Sequence, residues 1–181
     1  MRAGSAPTGQ DVVTRLDAAR LLDRADGLAG LLVDTVRGGA SLGFLAGLDR
    51  AEAAAWWRGL AGAVESGGLA VWAAHDGRRV TGTVGVAFVD KPNGRHRAEI
   101  TKLMVHPPAR GRGLARALLA TAEEAAADAG VTLLVLDTET GSPAESLYGG
   151  AGWTRAGTIP DYATDPAGTP HPTTLFYKRL T

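Results

Sequence analysis

Cysteine is absent from this chain of 181 residues. Its absence excludes disulfides, zinc sites built on thiolates and catalysis by a thiol nucleophile. A net charge is missing as well, because 19 Lys and Arg residues balance 19 Asp and Glu residues. A dedicated nucleic-acid-binding protein carries excess cations to neutralise phosphates, so no nucleic-acid partner is expected. No metal is expected either, because i,i+4 spacing is missing among the four histidines, His75, His96, His106 and His171.

Long hydrophobic runs are also missing. No apolar stretch approaches the ~18 residues that cross a bilayer, and the polar N-terminus MRAGSAPTGQD lacks the apolar core of a signal peptide. We therefore expect a cytoplasmic protein without a membrane partner. The length predicts a single domain over residues 11–181, preceded by a disordered lead-in over 1–10.

The apolar pattern predicts strands and helices in a mixed order. Helical spacing predicts helices over 17–37, 49–66, 114–129 and 142–151. Strands are predicted over 11–16, 69–74, 80–89, 98–105, 131–136, 153–158 and 173–179. Capping boxes, Asp49 with Glu52 and Ser142 with Glu145, mark two helix starts. The apolar run 131–136 predicts a strand buried on both faces, and 160–172, with four prolines, predicts a loop. The fold class is therefore α+β or mixed α/β.

The stretch HPPARGRGLARALL, residues 106–119, joins a predicted strand to a predicted helix. The first N–H groups of a helix lack partners and lie at the positive end of its dipole. Gly111 and Gly113 allow a ligand close to the backbone, while Arg110 and Arg112 add positive charge. These features predict an anion site suited to pyrophosphate. A solvated basic turn before an ordinary amphipathic helix is the competing interpretation.

The segment RGRGLA at 110–115 resembles motif A of the GCN5-related N-acetyltransferases (GNAT), written R/Q-x-x-G-x-G/A. In that family the loop's backbone N–H groups bind the pyrophosphate of coenzyme A. The resemblance therefore assigns Leu114 and Ala115 to coenzyme binding, together with the four residues before them. It also implies that Leu103, Met104 and Val105 contact the pantetheine arm, with backbone N–H groups near Met104 and Val105 polarising the thioester carbonyl.

A second GNAT signature, A-x-x-L-Y-x-x-x-G-[FW], matches Ala144, Leu147, Tyr148, Gly152 and Trp153. One predicted helix and one predicted strand separate the two signatures, as the family requires. The resemblance covers about 69–179. It implies a GNAT fold, with a central, mostly antiparallel, twisted sheet of about seven strands flanked by helices, and acetyl-CoA as the co-substrate.

Two departures from the family pattern lie near the second signature. Gly141 stands where the family often has an Asn that touches pantetheine, and the helix contains Gly149 and Gly150. Each glycine costs roughly 1 kcal/mol against Ala inside a helix, so a short helix is expected. Ser142, at the start of this helix, is assigned to the coenzyme site with Tyr148.

Within the family the chain looks most similar to tabtoxin resistance proteins, through AEITKLMVHPPARGRGLAR, LDTETGSPAESLY and HPTTLFYK. Those enzymes acetylate a small amino-acid-like toxin. The resemblance implies an N-acetyltransferase that moves an acetyl group from acetyl-CoA to a small amine, a toxin or antibiotic among the candidates, by direct attack in a ternary complex.

Acetyl transfer requires an amine without its proton, a polarised thioester carbonyl and a stabilised thiolate. Glu99 is a candidate base because Glu is depleted in strands, although a surface position beside Arg97 would also explain it. Asp137 directly follows the apolar run 131–136, where ligands often bind, although it would also suit a turn. Tyr148 matches the family's general acid for the thiolate, although a core tyrosine would fit the same apolar face.

Several residues and functions remain as alternatives. His171 and Tyr162 are candidates for lining the acceptor pocket, His106 is more typical of a structural histidine, and Trp56 and Trp57 are assigned to packing. A coenzyme-binding module without turnover, or an enzyme that acetylates a protein N-terminus or lysine, would preserve the same motifs. The sequence does not set the oligomeric state, and a homodimer is expected only because such enzymes often form one.

Overall fold

One seven-stranded sheet organises the part of the chain that the computed structural model describes, residues 11–77 and 79–180. The predicted lead-in over 1–10 lies outside these residues. The strands are β1 (Val12–Leu16), β2 (Leu69–His75), β3 (Val80–Phe88), β4 (Arg97–Val105), β5 (Leu133–Glu139), β6 (Thr154–Thr164) and β7 (Pro170–Arg179). The helices are α1 (Ala18–Arg37), α2 (Arg50–Gly59), α3 (Ala61–Glu65), α4 (Leu114–Asp128) and α5 (Pro143–Gly150), with one 3-10 turn at Pro107–Ala109.

The strand order across the sheet is β1-β2-β3-β4-β5-β7-β6. Every neighbouring pair is antiparallel except β4 and β5, which run parallel. The chain between β4 and β5 contains α4, since a parallel pair needs a crossover connection. The predicted mixed α+β fold with a mostly antiparallel sheet of seven strands is confirmed.

Each face of the sheet is covered by its own group of helices. On β2, Trp72 and Ala74 belong to the core beneath α4 and α5, whereas Val71 and Ala73 belong to the core beneath α1 and α2. This alternation follows from the period of two along a strand. The core strands therefore carry apolar residues on both faces, and a buried polar residue such as Thr83 donates its hydroxyl to a backbone carbonyl, that of Trp72.

The predicted helix over 49–66 is wrong as a single element, because the structure divides it at Leu60 into α2 and α3. Gly59 is a poor helix former at the division, and the Leu60 amide donates to the carbonyl of Trp57, three residues back, at 3.1 Å. The capping box at the start is confirmed, since Asp49 and Glu52 each accept the other's backbone N–H.

The predicted loop over 160–172 is also wrong, because most of it forms a hairpin between β6 and β7. Proline is tolerated there for a physical reason: β6 is an edge strand, and pairing of β7 with β5 reaches only Thr173. Pro170 and Pro172 therefore lie beyond the end of β5, where a missing N–H breaks no bond to that strand.

The predicted strand over 131–136 begins and ends later, at Leu133–Glu139, and is buried on one face rather than two. Leu134 and Leu136 are buried, whereas Asp137 is exposed and Val135 is half-buried. Asp137 thus lies within β5 and does not follow it. Among the described helices none is both long and apolar enough to cross a membrane.

Candidate active site

The parallel strands β4 and β5 separate after a short contact. Their pairing comprises Arg97 with Leu133, Ala98 with Leu134 and Glu99 with Val135. Both strands continue for several residues beyond that point, β4 to Val105 and β5 to Glu139. The edge of β4 that faces β5 is therefore left without a strand partner from Ile100 onward. This opening is a cleft in the middle of the sheet, with the predicted loop and acids around it.

A β-bulge in β4 lies beside this cleft. Thr83 pairs with Met104 and Gly85 with Thr101, so Val84 faces two residues, Lys102 and Leu103. Lys102 takes the left-handed conformation, with φ of 48°, which costs a non-glycine residue roughly 1 kcal/mol or more. The side chains of Met104 and Val105, 3% and 8% exposed, lie in the two cores, so only their backbones can face the cleft.

The predicted anion loop connects β4 to α4 and has the expected backbone geometry. Gly111 and Gly113 have φ of 76° and 80°, and an added Cβ at either would meet no atom within 4 Å. Gly113 is the N-cap of α4 and offers no capping side chain. The first N–H groups of the helix are therefore available to an anion, and the space next to the glycines is open.

The two arginines of the loop hold it together. Arg110 Nε donates to the carbonyl of Val105 at 3.0 Å, and Arg112 Nε donates to the carbonyl of Ala109 at 3.4 Å. Each side chain thus folds back onto the backbone of the loop. Leu114 is 7% exposed and packs in the core with the half-buried Ala115, so these two residues offer backbone to a ligand.

The start of α5 confirms part of its predicted cap. Ser142 Oγ accepts the N–H of Glu145 at 3.3 Å, which is one half of the predicted capping box. The Glu145 carboxylate accepts from Gly141 N at 2.6 Å and not from Ser142 N, so the other half is not formed. Gly141 has φ of 80°, a conformation that favours Gly and admits Asn. The helix is short, as its two glycines predict, and ends at Gly150.

Glu99 and Asp137 lie on the same face of the sheet. Glu99 is opposite Val135, and Asp137 follows two residues later on β5, so the alternation of strands places both carboxyls toward the α1 and α2 side. Both are open to water, yet they are partly desolvated by the walls of the cleft. Burial raises the pKa of Glu99, with the charge of Asp137 adding to it, and burial likewise raises the pKa of Asp137.

Tyr148 lies in the core on the opposite face of the sheet. It is 6% exposed, and its ring packs edge-on against Trp153, with 5.8 Å between ring centroids. Burial raises the pKa of the phenol well above its usual range, and the negative charge of Asp137 contributes to this increase. Tyr148 is therefore both a core residue and a protonated neighbour of Asp137.

Lys102 is the residue that the sequence analysis missed. Its Nζ lies 5.9 Å from the ring centroid of Phe44 and 5.4 Å from that of Trp56, on the face that also carries Glu99. Burial lowers the pKa of Lys102, and this effect is larger than the opposing effect of the negative charges of Asp137 and Glu99. The available signal in the sequence was a lysine inside the apolar strand run ITKLMV, three residues after Glu99.

Phe44 and Trp56 form a wall beside Lys102, on the face of the sheet that carries Glu99. Their rings meet edge-to-face at 5.3 Å and 88°. Phe44 belongs to the segment between α1 and α2, which is tied to the β6–β7 hairpin by a bond from Ala46 N to the carbonyl of Pro166 at 2.9 Å. The prediction of packing is confirmed for both tryptophans, since Trp57 is 1% exposed and the partly buried Trp56 packs against the same core, with its ring also beside Lys102.

The remaining candidates are His106, His171 and Tyr162. His106 Nε2 is 2.9 Å from Asp34 Oδ2, a bond that ties the end of β4 to α1 and confirms its structural role. His171 Nε2 is 3.1 Å from Asp165 Oδ2 within the hairpin. Tyr162, 52% exposed, lies on the edge strand β6. Within residues 11–77 and 79–180 no group of three His, Asp or Glu residues is arranged to hold a metal ion.

A scan of family models identifies the family. The model described as the acetyltransferase (GNAT) family matches residues 33–153, about two thirds of the chain. The chain belongs to the GNAT family. The resemblance seen in the two signatures is therefore confirmed at the level of the family, and acetyl-CoA is the coenzyme that this family uses.

A search of curated proteins gives GNAT relatives in mammals. N-acetyltransferase 8B of Rattus norvegicus is 39% identical over 92 residues, which are 50% of this chain and 41% of the rat protein. The chain thus spans about two fifths of the length of the curated relative that it matches. Closeness to tabtoxin resistance proteins is not shown by these matches.

Solved structures agree with the GNAT fold. An acetyltransferase of Salmonella typhimurium, determined with acetyl-CoA, superposes with a TM-score of 0.75 at 20% identity, covering 96% of this chain and 95% of that one. A ribosomal-protein-alanine N-acetyltransferase of Brucella melitensis superposes with a TM-score of 0.73 at 22% identity, covering 93% and 99%. At such identities the likeness shows the fold and does not select an acceptor.

Proposed function

We propose that this GNAT protein is an N-acetyltransferase that transfers the acetyl group of acetyl-CoA to the amine of a small molecule, by direct attack in a ternary complex. The observation that carries the proposal is the position of Glu99 and Asp137. Both carboxyls face the cleft between β4 and β5, on the side opposite to the core that holds α4 and α5. A base is thus present where an amine would approach a thioester held in the cleft.

The residues around the cleft fit coenzyme A. Gly111 and Gly113 leave open space beside free helix N–H groups, which suits a pyrophosphate. The unpaired edge of β4 at 103–105 offers backbone groups to an extended amide chain such as pantetheine. Ser142, whose hydroxyl caps α5, lies across the cleft from this edge. When bound, acetyl-CoA supplies the activated acetyl group and a thiolate leaving group.

The acid pair would remove the proton that keeps an amine unreactive. A carboxyl with a raised pKa is a better base for an ammonium than an ordinary one, because it holds the proton more tightly. Tyr148 stays protonated, since burial raises its pKa, and it can donate its hydrogen to the departing thiolate. Backbone N–H groups near Met104 and Val105 would stabilise the oxyanion of the tetrahedral intermediate.

The carboxylates of the acceptor side favour an amine. The carboxylates of Glu99 and Asp137 can accept hydrogen bonds from an ammonium, and Lys102 and Arg97 bring positive charge to the Glu99 side. The rings of Phe44 and Trp56 add faces that attract an ammonium. We infer that the acceptor is an amino-acid-like compound, a toxin or antibiotic included, as the similarity of ITKLMVHPPARGRGLAR and SPAESLY to tabtoxin resistance proteins suggests.

The cytoplasmic location and the homodimer stay predictions. A homodimer is supported by the exposed edge strand β6, where Ile159 and Tyr162 are 40% and 52% exposed, since unpaired edges are common sites of association. Sedimentation equilibrium of the purified protein checks the assembly. A single species at the monomer mass would contradict it.

A panel of amines tests the function. The panel contains amino acids, amino-acid-like toxins, and peptides with a free N-terminus or an internal lysine, and the readout is free thiol released from acetyl-CoA. Release with small amines supports the proposal. Release with peptides alone would favour a protein acceptor, and tight acetyl-CoA binding without release would favour a silent coenzyme-binding module.

A further inference from the structure

We propose that Lys102 is itself an acetylation site, modified by the acetyl-CoA bound to the same molecule when no acceptor occupies the cleft. The inference rests on the proposed function, because it requires acetyl-CoA between β4 and β5. Three observations lead to it: the bulge that turns Lys102 into the cleft, the surroundings of its amine, and the different positions of the other lysines.

The bulge decides which face of the sheet carries Lys102. Ala98 and Ile100 point into the core beneath α4, so strict alternation would send residue 102 to that same layer. The extra residue in β4 reverses the alternation, and the Lys102 amine lies against Phe44 and Trp56 on the opposite face. Lys102 therefore shares its face with the acids and immediately precedes the strand edge at 103–105 proposed to hold the thioester arm.

The surroundings of the amine suit a nucleophile. Phe44 and Trp56 displace water from Lys102, and this desolvation lowers the pKa of the ammonium, so a larger fraction is neutral than for an exposed lysine. Glu99 and Asp137 are close enough for their charges to act on it. Lys102 thus occupies the environment that the site would offer to an external amine.

The other lysines are placed differently. The chain contains three lysines, Lys91, Lys102 and Lys178. Lys91 is exposed in the turn between β3 and β4. Lys178 Nζ is held by Glu123 Oε2 at 2.6 Å and by the carbonyl of Ala151 at 2.9 Å. The acetylation rate of Lys91 therefore measures spontaneous chemical acetylation. The acetylation rate of Lys178 measures the reactivity of a lysine whose amine is already hydrogen-bonded.

The reaction balances with acetyl-CoA alone. The Lys102 ammonium gives one proton to Glu99 or Asp137, and its nitrogen attacks the thioester carbonyl carbon. The C–N bond forms and the C–S bond breaks as the tetrahedral intermediate collapses. The nitrogen's second proton leaves as the amide forms. Of the two protons released, one ends on the thiol of coenzyme A and the other in solvent, giving an N-acetyl-lysine without charge.

The test is incubation of the full chain with acetyl-CoA in the absence of any amine, followed by intact mass and peptide mapping. We expect one added acetyl group at Lys102, formed more than about tenfold faster than at Lys91, because the reactants are held together. The rate per molecule should not depend on protein concentration, as an intramolecular step requires. Lys102→Arg should remove the modification, whereas Lys91→Arg should leave it unchanged.

Two controls separate this proposal from the proposed function. Gly113→Glu, which weakens coenzyme binding, should reduce labelling of Lys102 to the rate of Lys91, and a good acceptor amine should protect Lys102. If calorimetry shows bound acetyl-CoA but Lys102 reacts no faster than Lys91, self-acetylation is wrong while amine turnover can still stand. If acetyl-CoA does not bind, both proposals are wrong.

Discussion

The proposed coenzyme side and the proposed acceptor side of the cleft are built in different ways. The coenzyme side consists mainly of backbone from one continuous stretch, 103–115, with glycines at the positions that need positive φ. The acceptor side consists of side chains from four separate segments, with Phe44 and Trp56 far in sequence from Asp137. A site that binds its ligand through backbone groups tolerates many different side chains, whereas a pocket lined by side chains depends on the identity of each side chain.

This difference explains why a short sequence signature can mark the loop on the coenzyme side but not the side chains on the acceptor side. A pyrophosphate is the same in every reaction of the family, so one loop geometry suffices. An acceptor differs between enzymes, and its recognition requires particular side chains at particular distances. Variants on the two sides should therefore separate into effects on coenzyme affinity and effects on turnover or acceptor affinity.

The largest effect is expected on the acceptor side, for Glu99→Gln and Asp137→Asn. Loss of the base should lower kcat by about 10²–10⁴, while acetyl-CoA affinity stays unchanged because neither side chain lies in the 103–115 stretch. Steady-state kinetics with calorimetry checks the separation. If the two acids form one proton path, the double variant should be about as slow as the slower single variant.

Glu124→Gln is the matched control, since Glu124 is exposed on α4, which covers the face of the sheet opposite to Glu99 and Asp137. Wild-type turnover in Glu99→Gln would remove Glu99 from the mechanism.

The next effect is expected on the coenzyme side, for Gly113→Glu. A φ of 80° disfavours Glu by roughly 1–2 kcal/mol, and the carboxylate would lie where the pyrophosphate is expected. Acetyl-CoA affinity measured by calorimetry should therefore fall by about tenfold to a hundredfold.

Gly130→Glu separates strain from ligand repulsion. Gly130 follows the other end of α4, has φ of 83° and also has open space beside it. It should lose comparable stability and keep its acetyl-CoA affinity. Equal affinity losses in the two variants would contradict the assignment of the loop.

A smaller effect is expected for Phe44→Leu. Losing the edge-to-face contact with Trp56 and the ring beside Lys102 should raise the acceptor KM several-fold, at about 0.5–1.5 kcal/mol for such aromatic contacts. Coenzyme affinity should not change. Leu45→Ala, 58% exposed on the same segment, should behave as the wild type, and an equal rise in its KM would remove Phe44 from the pocket.

The smallest effect concerns stability and pH. Burial and the charge of Asp137 raise the pKa of Glu99 in the folded protein above its value in the unfolded chain. Protonated Glu99 therefore favours folding, and this contribution to stability is fully present at a pH below the unfolded pKa. This contribution is lost as the pH rises through the folded pKa. Glu99→Gln should therefore be the more stable protein at pH 7, by no more than about 1 kcal/mol after screening by solvent.

Urea unfolding of both proteins at pH 7 and below about pH 4 measures this difference, which should vanish in acid. A variant that is less stable than the wild type at pH 7 would show that Glu99 is not held at a cost to folding.

Much of the fold followed from local signals. The apolar period predicted α1 and α4, the apolar pattern over 69–74 and 80–89 predicted β2 and β3, and the two signatures predicted the family. The errors have local causes as well. The prolines over 160–172 predicted a loop, because a sequence does not show that these residues lie beyond the end of β5.

The sequence by itself determined the family, the coenzyme and the loop, since glycine spacing and helix starts are encoded by neighbouring residues. Only the tertiary structure decided which side chains meet on the proposed acceptor side. The bulge at Lys102 depends on how β4 pairs with β3, and the approach of Glu99 to Asp137 depends on how β4 and β5 pair and then separate. Both are relations between distant segments, and no window of sequence contains them.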